Sequence, residues 1–148
     1  MPEYRLSRPS NEAEWDTYHS IRREVLWEAR GSKSVYNPHH PDEYLPNNHP
    51  LILFVGEKAV GVVRVDLREE MEEAIFRRVA IRAEDQRRGY GTILMDRVEA
   101  FAAGHGCVKF VANVAVDAIP FYLKLGYRLD PGSPENDERN PRMVKERG

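Results

Sequence analysis

The sequence predicts an α/β (α+β) fold, a mixed sheet with helices on both faces. Three observations predict it. Residues 51–67 alternate apolar runs about a Gly-containing turn, as a hairpin does. Leu94, Met95, Val98, Phe101 and Ala102 recur at helical spacing, giving a stripe that must face a sheet. Residues 108–116 are almost wholly apolar, as expected for a strand covered on both faces. Strands alternating with amphipathic helices make a layered domain.

Taken in order, residues 4–8 read as a short strand ending at Pro9-Ser10. Asn11 with Glu14 has the form of a capping box. Trp15, Tyr18, Ile21 and Val25 then predict a helix to about Arg30, stopped at Gly31. Residues 31–50, rich in proline, histidine and asparagine, read as a long loop with a helical turn near residues 42–44; loops of this length are often functional. Strands follow at 51–55 and 60–67. Residues 68–73, with four glutamates, read as a solvated turn, and 74–81 as the third strand of the meander. A polar loop at 82–88 precedes the amphipathic helix, which Gly104-His105-Gly106 ends. Asp117 can cap a second helix with Pro120 in its first turn, Gly126 ends that helix, and strands are expected near 127–129 and 143–144.

With 148 residues, one domain spanning 1–148 is expected. The 22 basic and 24 acidic residues leave a net charge of −2, which argues against a nucleic-acid partner. One cysteine, Cys107, excludes an intramolecular disulfide and a Cys-based zinc site. Apolar runs fall far short of the ~20 residues that cross a bilayer, and the first residues lack a secretory apolar core. A soluble cytoplasmic protein with no membrane partner is expected.

The chemistry concentrates in Val79-Ala80-Ile81, then Gln86-Arg87-Arg88-Gly89-Tyr90-Gly91-Thr92, then the amphipathic helix. The first N–H groups of a helix lack intrahelical partners and carry partial positive charge. Gly89 and Gly91 allow close approach of the backbone to an anion, and Arg87 and Arg88 add charge. This reads as a pyrophosphate cradle; the alternative is a Gly-containing turn that merely starts a helix. A P-loop fails, because Val62-Val63 stand where Lys-Ser/Thr is required, and no dinucleotide fingerprint opens a helix.

Gln86-Arg87-Arg88-Gly89-Tyr90-Gly91 resembles the Q/R-x-x-G-x-G/A acetyl-CoA signature of the GCN5-related N-acetyltransferases (the GNAT superfamily). Val79-Ala80-Ile81 is similar to the strand residues that end five positions before it. Asn113 to Tyr127, through Phe121-Tyr122-Leu123-Lys124-Leu125-Gly126-Tyr127, resembles the family's late strand-helix module, and the element order follows the family's over nearly the whole chain. The resemblance implies a mostly antiparallel sheet of six to seven strands with a splayed central pair. It implies acetyl-CoA as co-substrate, with no metal, and direct transfer to a primary amine of a small molecule or peptide. Amides from Arg87 to Thr92 would hold the diphosphate, and the main chain of Val79, Ala80 and Ile81 would pair with the pantetheine arm.

Tyr122 resembles the family tyrosine that protonates the departing thiolate, against a reading as a packed aromatic. Asn113 matches a position facing the coenzyme arm, against a simple structural hydrogen bond. The strand glutamate of some family members would align with position 75, here Ile75. Glu73, on the same strand face, is the alternative base, acting directly or through water, against a solvated charge; a bound water chain would replace either. His39, His40, Asp42, Glu43 and His49 fit no standard zinc spacing and read as part of a wall of the acceptor pocket, together with residues 130–141. A late strand edge is open to pairing with a second copy. A non-catalytic acyl-CoA-binding module or sensor is the other functional reading, since cofactor binding and proton removal are separable.

Overall fold

The structure, a computed structural model, describes residues 3–28 and 45–147. Seven strands, β1 (Tyr4–Ser7), β2 (Asn48–Val55), β3 (Lys58–Arg68), β4 (Glu73–Ile81), β5 (Lys109–Asn113), β6 (Arg128–Leu129) and β7 (Arg142–Glu146), form one sheet in the order β1-β2-β3-β4-β5-β7-β6. Among the described residues three α-helices accompany them: α1 (Glu12–Arg22), α2 (Tyr90–Gly104) and α3 (Ile119–Lys124). All neighbouring strands are antiparallel except β4 and β5, which α2 connects in sequence. The expected mixed, mostly antiparallel sheet with helices on both faces is what the chain forms.

Period-two alternation sorts the side chains between two layers. On one face, Leu94, Met95, Val98 and Ala102 of α2 pack on Val63, Val65, Leu67, Ala74, Phe76, Phe110 and Ala112. On the other, Tyr18 and Ile21 of α1 pack on Ile52, Phe54, Val62 and Ala80. Each fully buried large apolar side chain contributes about 1.5–3 kcal/mol. The α1 side also receives Arg64, Asp66 and Arg68 of β3 and Glu73, Ile75 and Arg77 of β4, by the same alternation.

Two features of β4 position the site. Val62 pairs with Ala80 and Arg64 with Arg77, so β4 carries one extra residue between them. Arg78 absorbs that bulge at φ +59°, in the left-handed region that β-strand residues avoid. On the other edge, β4–β5 pairing ends at Phe76↔Ala112, whereas β3–β4 pairing runs on to Ile81. Beyond Phe76, β4 therefore has β3 on one side and an open wedge on the other.

Several local expectations need correction. Asn11 does accept from the Glu14 amide at 2.8 Å, but the Glu14 carboxylate accepts from the amide and hydroxyl of Ser10, one residue earlier than a capping box requires. After α1 the backbone passes into a π-helical stretch, Arg23–Glu28. The strand expected from residue 51 starts at Asn48. The run at 108–116 yields only the five residues of β5, since Val116 already belongs to a short 3₁₀ turn. Ala118, not Asp117, occupies the N-cap of α3. The predicted helix end at Gly31 and the turn at 42–44 lie outside the described residues.

Candidate functional site

The loop between β4 and α2 shapes the start of that helix. Arg87 adopts φ +66° and Gly89 φ +85°, so the chain turns sharply into α2 with Gly89 as its N-cap. No side chain caps α2, which leaves its first amides facing outward. The two glycines serve different ends. A Cβ on Gly89 would meet nothing within 4 Å, so its requirement is the positive φ; a Cβ on Gly91 would lie 3.2 Å from Phe121 Cζ. Gly91 is thus a packing glycine that lets α3 close on the first turn of α2, whereas at Gly89 the backbone conformation is what disfavours a side chain.

Side chains stiffen this turn. Gln86 Nε2 donates to the Ile81 carbonyl at 3.0 Å, tying the loop to the end of β4. Asp85 is buried beneath the loop and accepts from Lys58 Nζ at 3.0 Å. Arg87 and Arg88 are exposed and, among the described residues, make no ion pair. Tyr90 and Thr92 lie in the first helical turn.

The same packing brings Tyr122 to this end of the sheet. It is almost fully buried in the cluster that contains Leu94, Ala112 and Val114, with Val79 and Ile81 packed against it. Its ring stands edge-on to Phe121 (5.2 Å) and to Tyr127 (5.4 Å). Burial pushes its hydroxyl up to about 12. Tyr127 donates to Glu99 at 2.9 Å, and Lys145 donates to the other oxygen of Glu99. Asn113, the last residue of β5, donates from Nδ2 to the Asn140 carbonyl at 3.1 Å, so the structural hydrogen bond exists.

Glu73 is not the solvated charge of a turn. It is the first residue of β4, buried, 3.3 Å from Arg68 Nη1, 3.7 Å from Arg142 Nη2 and 4.0 Å from Lys109 Nζ. It pairs with Lys109, where β4 and β5 are still joined, six residues before Val79. The structure does not bring it to the wedge.

Of the histidine-rich loop, only His49 lies within the described residues. Its Nδ1 is 2.9 Å from Arg8 Nη1 and its ring stands against Phe101 and His105. Desolvation holds it below the usual histidine range. Among the described residues no three potential metal ligands cluster, and no helix is long and apolar enough to cross a membrane.

A bulged, splayed β4 leading into an uncapped helix fits a known pattern: the Acetyltransferase (GNAT) family matches residues 7–127. The chain belongs to this family. An N-acetyltransferase of Bacillus subtilis strain 168, YjcF, itself uncharacterised, is 31% identical over 100 residues, covering 63% of this chain and 70% of that protein. Among solved structures, Escherichia coli ElaA superposes with a TM-score of 0.80 at 15% identity, over 99% of this chain and 100% of that one. The PaiA N-acetyltransferase of Thermoplasma acidophilum, solved with coenzyme A, gives 0.72 at 15% identity, over 97% and 99%. These two establish likeness of fold. The sequence reading missed the β4 bulge, the burial of Glu73 and the Asp85–Lys58 pair, none of which has a local sequence signal.

Proposed function

We propose that this chain transfers the acetyl group of acetyl-CoA directly to a primary amine, with both substrates bound at once. The observation that carries the reading is the wedge beyond Phe76, opening beside the uncapped start of α2. Amides from Arg87 to Thr92, with Arg87 and Arg88, hold the diphosphate. The extended pantetheine arm pairs with the free edge of β4 at Val79, Ala80 and Ile81 as an added strand, with Asn113 opposite. That arrangement holds the thioester carbonyl in the wedge, where backbone N–H groups near Ile81 stabilise the oxyanion.

The amine lone pair attacks the carbonyl carbon; the C–N bond forms and the C–S bond breaks. The amine proton passes to water. The departing thiolate takes the Tyr122 phenolic proton, which solvent replaces. A neutral, buried phenol is suited to this, because it stays protonated while the amine is free. Glu73 is occupied by three cations, so the reading assigns it to structure and the proton removal to water. Cys107 has no place in the reaction: it is fully buried and burial pushes its thiol up, so no acyl-enzyme is expected.

The test is thiol release from acetyl-CoA across an amine panel, with products identified by mass spectrometry. A mass gain of one acetyl group on an amine supports the reading. Tight acyl-CoA binding with no turnover of any amine supports the sensor instead, a reading that Ile75 at the base position favours.

A further inference from the structure

We infer that Arg77 selects an acceptor whose amine is accompanied by a nearby carboxylate, such as an α-amino acid, and rejects polyamines; this deepens the acetyl-transfer reading and rests on it. Arg77 is the first β4 residue past the last β4–β5 pair, Phe76↔Ala112, and alternation places it on the α1 side at the edge of the wedge. Its cross-strand partner is Arg64. Between them stands Asp66, opposite Ile75. Arg64 donates to Asp66 from Nε at 2.7 Å and from Nη2 at 2.8 Å, and Arg77 Nε donates to Asp66 Oδ2 at 2.7 Å.

Asp66 and Arg64 are nearly buried, whereas the Arg77 side chain is 39% exposed. One carboxylate thus anchors two guanidiniums. Arg77 spends its Nε on the anchor, and among the described residues its terminal nitrogens donate to nothing. A guanidinium held by one edge presents a fixed fork that matches a carboxylate.

A polyamine brings ammonium groups and no carboxylate, so it has nothing for this fork to hold.

The experiment compares, at saturating acetyl-CoA, the common α-amino acids, the same compounds as α-carboxamides, and spermidine and putrescine, in the wild type, Arg77→Gln, Arg77→Lys and Asp66→Asn. At least one amino acid is expected to exceed its amide and both polyamines by about 10-fold or more in kcat/KM. Arg77→Gln should cost that acid about 10–100-fold, mostly in KM, while its amide changes less than about 3-fold; Arg77→Lys should recover part of the loss. Asp66→Asn, which leaves Arg77 in place but unanchored, should fall between. Calorimetry with CoA on every variant reports whether the coenzyme site is intact. Equal use of acid and amide by the wild type, preference for a polyamine, equal loss for both substrates in Arg77→Gln, or CoA binding without turnover of any carboxylate-bearing amine overturns the inference. Failure of the wild type to bind CoA overturns the acetyl-transfer reading beneath it.

Discussion

Burial separates the roles of three residues that look alike as candidates on paper. Tyr122, held up to about 12, keeps its proton throughout the range in which an amine loses its own. Tyr122→Phe is therefore expected to lower kcat by about 10²-fold or more while the Kd for acetyl-CoA changes less than about 3-fold, read by steady-state kinetics and calorimetry. Glu73→Gln should instead lower stability by about 3 kcal/mol, because it leaves Arg68 and Arg142 undercompensated, while the pH–rate profile of the folded variant stays that of the wild type. A displaced profile would return Glu73 to the mechanism. Cys107→Ala should leave turnover nearly unchanged; complete loss would contradict direct transfer. The place of Tyr122 in α3 was legible because its neighbours form a recognisable run. The burial of Glu73 was not, since the acids at 69–73 are alike in sequence and only one of them meets cations from β3, β5 and β7.

At the scale of elements, helices and strands were legible wherever a single period held over several turns or pairs, as in α2 and the β2–β3 hairpin. The short ends were less so. Val116 is apolar yet 58% exposed, because the chain leaves β5 after Asn113 to place α3 against Gly91. The β4 bulge had no signal either, since Arg78 is not a residue that announces a positive φ. The loop and first turn of α2 carry a separable prediction. Gly89→Ala forces a Cβ into the left-handed region, at about 1–2 kcal/mol, into open space, so it should strain the turn without disturbing the core. Gly91→Ala should push Phe121 by a few tenths of an ångström. Thermal denaturation with and without CoA distinguishes them: Gly91→Ala should also reduce kcat by moving α3 and Tyr122.

The whole molecule couples these elements through its buried tyrosines and its ion-pair cluster. Tyr122 ionises near 10 when unfolded and near 12 when folded. As pH rises from 10 toward 12 the unfolded chain loses the proton first, so stability falls by about 2–3 kcal/mol over that window; below pH 10 the group contributes no pH dependence. The buried Tyr127, also shifted upward, adds a loss of the same sign. Tyr122→Phe should flatten part of the decline in denaturant titrations. At the acid end, the Arg68 hydrogen bond holds the Glu135 carboxyl below its ordinary range. Its contribution is present above the usual carboxylate range and lost as pH falls through the lowered value, loosening the 130–141 loop.

The proposed transfer requires the coenzyme's diphosphate on the first turn of α2 and its thioester in the wedge beside Ile81. Isothermal titration of the purified protein with CoA measures that most directly. One site in the micromolar range is expected, weakened about 10-fold or more when Gly89 is replaced by Val. Absence of any binding heat, or binding that is indifferent to Gly89→Val, would contradict the placement.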